Sequence, residues 1–389
     1  MKAIGTVARG IRTPLIKPGD NVRQIVIDSV LAAAKHENFK LNDRDVVGIT
    51  EAVVARAQGN FASCEQIAED IRNKFPDGTL AVTFPILSRN RFSNILKGIA
   101  LGCNKLYILL SYPSDEVGNH LISWDSIDQA GINPYTDVFS ETAFRQLFGY
   151  DTKHLFTQMD YIEYYKSFNN AEIIFANDVR KILDFTGNVL CCDIHSRFRS
   201  KRLLKEAGAN IVFGLDDVLS SPVNGSGYNE QFGLLGSNKS TEDTLKLYPR
   251  DCEPIVNDIA SKLKDVTGKQ IEVMIYGDGA FKDPVGKIWE LADPVVSPAF
   301  TEGLTGTPNE LKLKLLLDNE FVGRSDDEIE KEVRLAIKSK SANLEDKALG
   351  TTPRQYTDLL GSLCDLISGS GDKGTPVVLV QGYFDNFAT

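Results

Sequence analysis

Near its C-terminal end the chain spaces Leu359, Leu360, Leu363 and Ile367 as one face of a helix, and Val377-Val-Leu-Val380 follows as an apolar run of strand length. The pattern predicts a helix, then the loop Ser368-Gly-Ser-Gly-Asp-Lys-Gly-Thr-Pro376, then a strand. Gly369, Gly371 and Gly374 match the dinucleotide fingerprint as a string, but that fingerprint needs a strand before it and a helix after it, so that the phosphate meets a helix N-terminus. Here the order is reversed. Glycines without Cβ atoms still let a loop turn several backbone N–H groups toward an anion. A plain helix-to-strand connection, ended by glycine, accounts for the same composition.

The remaining pattern divides the chain into two textures. A strand at Lys2–Val7, the loop Arg12 to Asp20, a helix from about Val22 to Lys35 and an apolar strand at Asp45–Glu51 come first. Between Ala81 and about Leu219, buried strands at 106–110, 173–175, 189–194 and 211–213 alternate with helices near 91–102, 177–184 and 199–208. Such alternation predicts a parallel sheet. From Asn224 the glycine-rich loops return, with a strand at 272–276. The fold class is therefore α/β: a mixed α+β outer domain built from residues 1–80 and 224–389, with a parallel α/β domain inserted at 81–223.

Composition narrows the partners. With 43 basic against 53 acidic side chains the net charge is −10, which argues against nucleic acid or an anionic membrane surface. An anionic ligand needs a local basic cluster. No apolar stretch approaches the roughly 20 residues of a membrane span, and no signal-like run opens the chain, so a cytoplasmic protein is expected. The six cysteines include no Cys-x-x-Cys pair, and reduced thiols are expected. Cys191 and Cys192, adjacent in a strand, must point to opposite faces and cannot share a metal.

Ligands of open α/β sheets collect beyond the C-terminal strand ends. Two polar clusters stand there: Ser111 to His120, and Asp193 to Arg202, where a strand feeds a helix whose start carries His195, Arg197 and Arg199. Backbone N–H groups at a helix start, with guanidinium forks, suit a phosphate or carboxylate; a solvated basic helix face fits the same residues. A third cluster, Tyr276 to Pro284, places Asp278, Lys282 and Asp283 in a glycine-flanked turn that suits Mg²⁺ or an unliganded Asp-Gly turn equally. A fourth, Asn224 to Lys239, is rich in glycine and amides, as polar small-molecule sites are.

Taken in order, these segments resemble the coenzyme F-420 (deazaflavin) gamma-glutamyl ligase family. The resemblance is carried by Arg9 to Asp20, Asp45 to Glu51, Val54-Ala-Arg-Ala-Gln-Gly59, Gly233 to Asn238, Tyr248-Pro249, Val273 to Asp278 and Gly371 to Val378. It implies an acid–amino-acid ligase in which GTP or ATP phosphorylates a carboxylate, Mg²⁺ or Mn²⁺ neutralises the phosphates, and the amine of L-glutamate displaces phosphate. It also implies a homodimer. By the resemblance, Arg56, Asp278 and Lys282 are catalytic, while Arg12, Thr13, Pro14, Leu15, Asn238, Gly369, Gly371, Asp372 and Gly374 bind the nucleotide. Glu51, Asp278 and Asp283 hold metal. The insert is not part of the short form of the family; its basic cluster, the densest in an acidic chain, is expected to face the acceptor through His195, Arg197 and Arg199. Leu235-Gly236 replaces the family's aspartate before Ser-Asn, and Arg56 and Gln58 replace its Lys and Glu. Two other functions compete with a small-molecule ligase: a protein that only binds a nucleotide or phosphate ligand, and an oxidoreductase, which no strand–GxGxxG–helix order supports.

Overall fold

The computed structural model describes residues 3–389 except 155–156, 170, 280, 283–288, 321–322, 342–353 and 370. Two sheets organise it. The first has five strands in the order Val7–Ile11, Val377–Gln381, Val46–Thr50, Glu272–Tyr276 and Ala299–Phe300. Only the central pair, Val46–Thr50 with Glu272–Tyr276, is parallel. Alternation along each strand sorts the side chains. Val47, Ile49, Val273, Ile275, Val377 and Leu379 join the core under the helices Val22–His36 and Cys252–Thr267, whereas Val46, Met274, Tyr276, Val378 and Val380 pack under Tyr356–Ile367. The helix, glycine loop and strand expected at the C-terminal end are all present. The first strand, expected at Lys2–Val7, instead runs Val7–Ile11. Its position is set by pairing with the distant last strand, Val7 opposite Gln381 and Ile11 opposite Val377, and local apolarity does not reveal that register.

The second sheet confirms the α/β expectation. Its order is Phe139–Ser140, Glu172–Phe175, Lys105–Leu110, Thr79–Thr83, Asn188–Cys191 and Ile211–Gly214, parallel except for the short Phe139–Ser140 edge. The chain starts in the middle at Thr79–Thr83, works outward to one side, then crosses back to build the other. The reversal falls between Thr79–Thr83 and Asn188–Cys191, where open α/β sheets leave a crevice for ligands. Cys191 and Cys192 do belong to cores on opposite faces. The segment expected as a helix at 177–184 is a 3₁₀ turn, Val179–Asp184.

The core on one face of this sheet also takes in Ile67 and Ile71 of the helix Cys64–Lys74 and Phe75 just after it, together with Leu234, Leu245, Leu247 and Tyr248. That helix opens with a capping box: Ser63 accepts from the Gln66 N–H and the Gln66 side chain accepts from the Ser63 N–H. A third, small sheet of Asn238–Lys239, Thr244–Lys246 and Phe61–Ser63 lies between the two larger ones in sequence logic, and it carries Lys246. Among the described residues no helix is long and apolar enough to cross a membrane.

Candidate active site at the sheet edge

Strand direction alone gathers most of the expected residues at one edge of the five-stranded sheet. Val46–Thr50 and Glu272–Tyr276 run parallel, with Thr50 opposite Tyr276, so Glu51 and Asp278 both leave the same edge. Ile11 pairs with Val377, so the loop Arg12–Ile16 departs beside the place where the glycine loop enters the last strand. The Thr50 N–H donates to Pro376 O at 3.0 Å, tying that loop to the strand that ends in Glu51. Arg12 and Leu15 are exposed, as are Gly371, Asp372 and Gly374, while Thr13 and Gly369 are half-buried. Thr13 donates its hydroxyl to Pro14 O. Among the described residues the Thr375 hydroxyl oxygen is buried without a hydrogen-bond partner, and it lies 3.3 Å from where a Cβ on Gly10 would stand.

Behind this edge lies a cluster of carboxylates held by two cations. Glu51, the first residue of the helix Glu51–Ala57, is buried, and Lys246 Nζ donates to both of its oxygens at 2.6 Å. Burial, with Asp293 adding to it, raises the Glu51 carboxyl to about 7 against the opposing pull of Lys246 and Arg91. Asn238 stands opposite Lys246 in the small sheet. Arg91, from the insert, forks between two carboxylates: Nη1 donates to Asp293 Oδ1 at 2.7 Å and Nη2 to Asp278 Oδ2. The other oxygen of Asp293 accepts the Asp278 N–H at 2.7 Å, and Asp365 accepts the Gly279 N–H at 2.8 Å. Burial raises Asp278 to about 6, and Asp293 and Asp365 reinforce it, while Arg91 opposes. Burial works against the charge of Arg91, but Asp293 and Asp278 hold its guanidinium well above the usual arginine value.

Gly277 is what lets these groups approach. A Cβ there would stand 2.3 Å from Asp293 Oδ2 and 3.1 Å from the Tyr248 hydroxyl. The sequence motifs meet behind the cluster. Gln58 donates to Arg250 O at 2.5 Å and accepts the Arg250 N–H at 3.1 Å, and Asn60 donates to Tyr248 O at 2.8 Å. A carboxylate at position 58 could not make the first of these bonds, which gives the Gln58 departure a local reason. Arg56 is exposed, one turn farther along the helix that Glu51 opens.

The expected metal set does not form among the described residues. No three His, Cys, Asp or Glu groups among them are placed to hold a metal ion. Glu51 and Asp278 each hold a cation of the chain itself, and Asp283 lies outside the described residues. Oxygens already taken by an ammonium and a guanidinium do not fit the open oxygen cage that Mg²⁺ or Mn²⁺ requires. Lys282 stands in a two-residue strand, Phe281–Lys282, paired with Trp289–Glu290.

The insert reaches the same region through Arg91 and, of the three residues expected, through His195. His195 Nε2 lies 2.6 Å from Leu291 O, so it touches the segment carrying Asp293. Arg197 is buried and spends its guanidinium on Asp216 and on Ile194 O; Arg199 is exposed on the helix Arg197–Glu206. The backbone N–H groups of Ile194, His195 and Ser196 at that helix start donate to the Glu116 carboxylate, so the anion expected there is supplied by the chain. Arg91, Lys246, Asp293 and Asp365 were not legible as site residues, and Glu116 was legible only as a member of the Ser111–His120 cluster. Arg91 had one available signal: it follows the central strand Thr79–Thr83, a C-terminal strand end of the kind that attracts ligands. Beside it a small cavity of about 20 Å³, room for a single water, is lined by Phe92, Ile95, Ile194, Leu234 and Leu235.

No curated protein matches the chain. Comparison with protein families matches residues 10–382 to F420-0:Gamma-glutamyl ligase, nearly the whole length. The ordered motifs, the sheet edge on which they converge and this match lead to one statement: the chain belongs to the F420-0:gamma-glutamyl ligase family, a family of ligases.

Proposed function

We propose that this chain joins L-glutamate to the carboxyl group of a small-molecule acceptor at the expense of GTP or ATP. An oxygen of the acceptor carboxylate attacks the γ-phosphorus, the nucleoside diphosphate leaves, and the glutamate amine then displaces phosphate as the amide forms and a proton is lost. A carboxylate is a poor electrophile, and the acyl phosphate makes it a good one; the protein's part is positioning and charge. The observation that carries the nucleotide reading is the pairing of Ile11 with Val377, which sets the Arg12–Ile16 loop beside the glycine loop. Exposed Gly371 and Gly374 can turn backbone N–H groups toward phosphate there.

The acceptor is proposed to meet the insert on the side that carries Arg91, next to residues 234–237, the guanidinium itself being held by Asp293 and Asp278. His195, through Leu291, supports that wall; Arg199 is left to solvent or to the acceptor's outer end.

Phosphate release is the direct test. Full-length protein given GTP or ATP, L-glutamate and a panel of carboxylic acids should release phosphate only when all three are present. Release that ignores glutamate would mark nucleotide hydrolysis and not amide ligation, and none with any acceptor alongside tight nucleotide binding would favour a protein that only binds the nucleotide. No detectable nucleotide binding by calorimetry would remove both readings.

A further inference from the structure

Two cations reach the carboxylate cluster from segments that carry none of its carboxylates. Lys246 comes from the small sheet, where it stands opposite Phe61 and Asn238, and it bridges both oxygens of Glu51 at 2.6 Å, with only 12% of its side chain exposed. Arg91 comes from the insert, its own N–H fixed on Ser88 Oγ at 3.1 Å, and spans Asp293 and Asp278. Asp293 is almost wholly buried, and its second oxygen is already occupied by the Asp278 N–H. The arrangement is built by the fold rather than by neighbouring residues: 195 positions separate Lys246 from Glu51, and 202 separate Arg91 from Asp293.

We infer that Arg91 and Lys246 take the place of divalent ions in this chain, so that the cluster of Glu51, Asp278 and Asp293 is closed to Mg²⁺ and Mn²⁺ and draws its positive charge from the protein. Two physical reasons support it. Hard cations need several free oxygen ligands, and here both oxygens of Glu51, both of Asp293 and Oδ2 of Asp278 are committed to N–H donors. Expelling either side chain to admit a metal would leave a buried cation without its counter-ion, the costly half of breaking a buried pair. A guanidinium fork also fits two carboxylates, or a carboxylate and a phosphate, with a fixed geometry that a metal would otherwise provide. That the cluster then serves a phosphate-bearing co-substrate rests on the ligase reading; the exclusion of divalent ions does not.

Mn²⁺ alone, titrated into the full-length protein near neutral pH and followed by the electron paramagnetic resonance signal of the free ion, tests the inference. The expected result is no binding sensitive to Asp278→Asn or Glu51→Gln up to about 1 mM Mn²⁺, the weak end of specific affinity. Lys246→Met and Arg91→Met are each expected to gain Mn²⁺ affinity by tenfold or more, because each frees carboxylate oxygens. Should those variants fail to fold, the wild-type titration decides. Wild-type binding that Asp278→Asn or Glu51→Gln abolishes overturns the inference, whereas binding that survives both substitutions lies elsewhere and leaves it standing. The ligase reading falls on a different result, the absence of nucleotide binding, so the two failures are told apart.

Discussion

Arg91 serves two carboxylates of unequal exposure: Asp293 is 1% exposed and Asp278 36%. Removing the guanidinium therefore strands Asp293 in the interior far more than Asp278. Arg91→Met should lower the free energy of unfolding by about 3–5 kcal/mol, the usual cost of orphaning one partner of a buried pair, read as a shift in the denaturant midpoint. Arg91→Lys keeps the charge but cannot fork, and should fall between. Gln58 makes the complementary case. It both donates to and accepts from the Arg250 backbone, so Gln58→Glu, although it restores the residue of the family motif, removes a donor and sets a carboxylate against a carbonyl. A loss of about 1–3 kcal/mol is expected, and a gain in stability would mean that the amide is not what holds the two motifs together.

At the scale of elements, close approach decides what the sheet can carry. Gly48 sits in the central strand Val46–Thr50, and a Cβ there would stand 2.6 Å from Cys364 Sγ and 3.2 Å from the Tyr276 ring. The helix Tyr356–Ile367 thus lies on the sheet at a depth only glycine permits. Gly48→Ala should cost about 1–3 kcal/mol by overpacking, and Gly48→Ala combined with Cys364→Ala should recover part of it, a non-additivity visible in a double-mutant cycle. What the sequence made legible follows the same division between local and distant. The helix, glycine loop and strand at the C-terminal end, the α/β alternation of the insert, the opposed faces of Cys191 and Cys192, and Asp278 at a strand end were all readable, because each is written in a short window. The start of the first strand was not, since Val7–Ile11 takes its register from a strand more than 360 residues away. Nor were Arg91 and Lys246, whose partners lie 187 and 202, and 195 positions off, nor the pairing of Glu116 with backbone 78 to 80 positions away. The basic stretch His195 to Arg202 misled for a related reason: its densest charge, Arg197 and Lys201, is consumed by Asp216, which no local pattern pairs with it.

For the whole molecule, buried carboxyls set how stability changes with pH. Burial raises Asp115, Asp193 and Asp278 to about 6 from 3.8, and Glu51 to about 7 from 4.5. In Asp115 the hydrogen bonds from Leu87, Val117 and Asn119 oppose the shift, and in Asp193 those from Ser196 and Ser200 do, but burial outweighs them. Each of these groups keeps a proton in the folded chain at pH values where the unfolded chain has released it. Their contribution is therefore fully present below the unfolded value and is lost as pH rises through the folded one, because stability falls with pH wherever the native state binds more protons. Carboxyls shifted the other way, Asp178 by its Arg180 partner and Glu328 by Ser325 among them, contribute above the unfolded value and lose their effect only as pH drops below it. The two sets act in different windows, so the interval from about pH 5 to about pH 7 belongs to the raised groups. Urea midpoints should fall steadily across that interval, and Glu51→Gln, which cannot release a proton, should flatten the upper part of the slope while leaving the lower part to the three aspartates. A midpoint that rises from about pH 5 to about pH 7 would show that these carboxyls are ionised in the folded chain, and that Lys246 and Arg91 outweigh the cost of burial at the cluster.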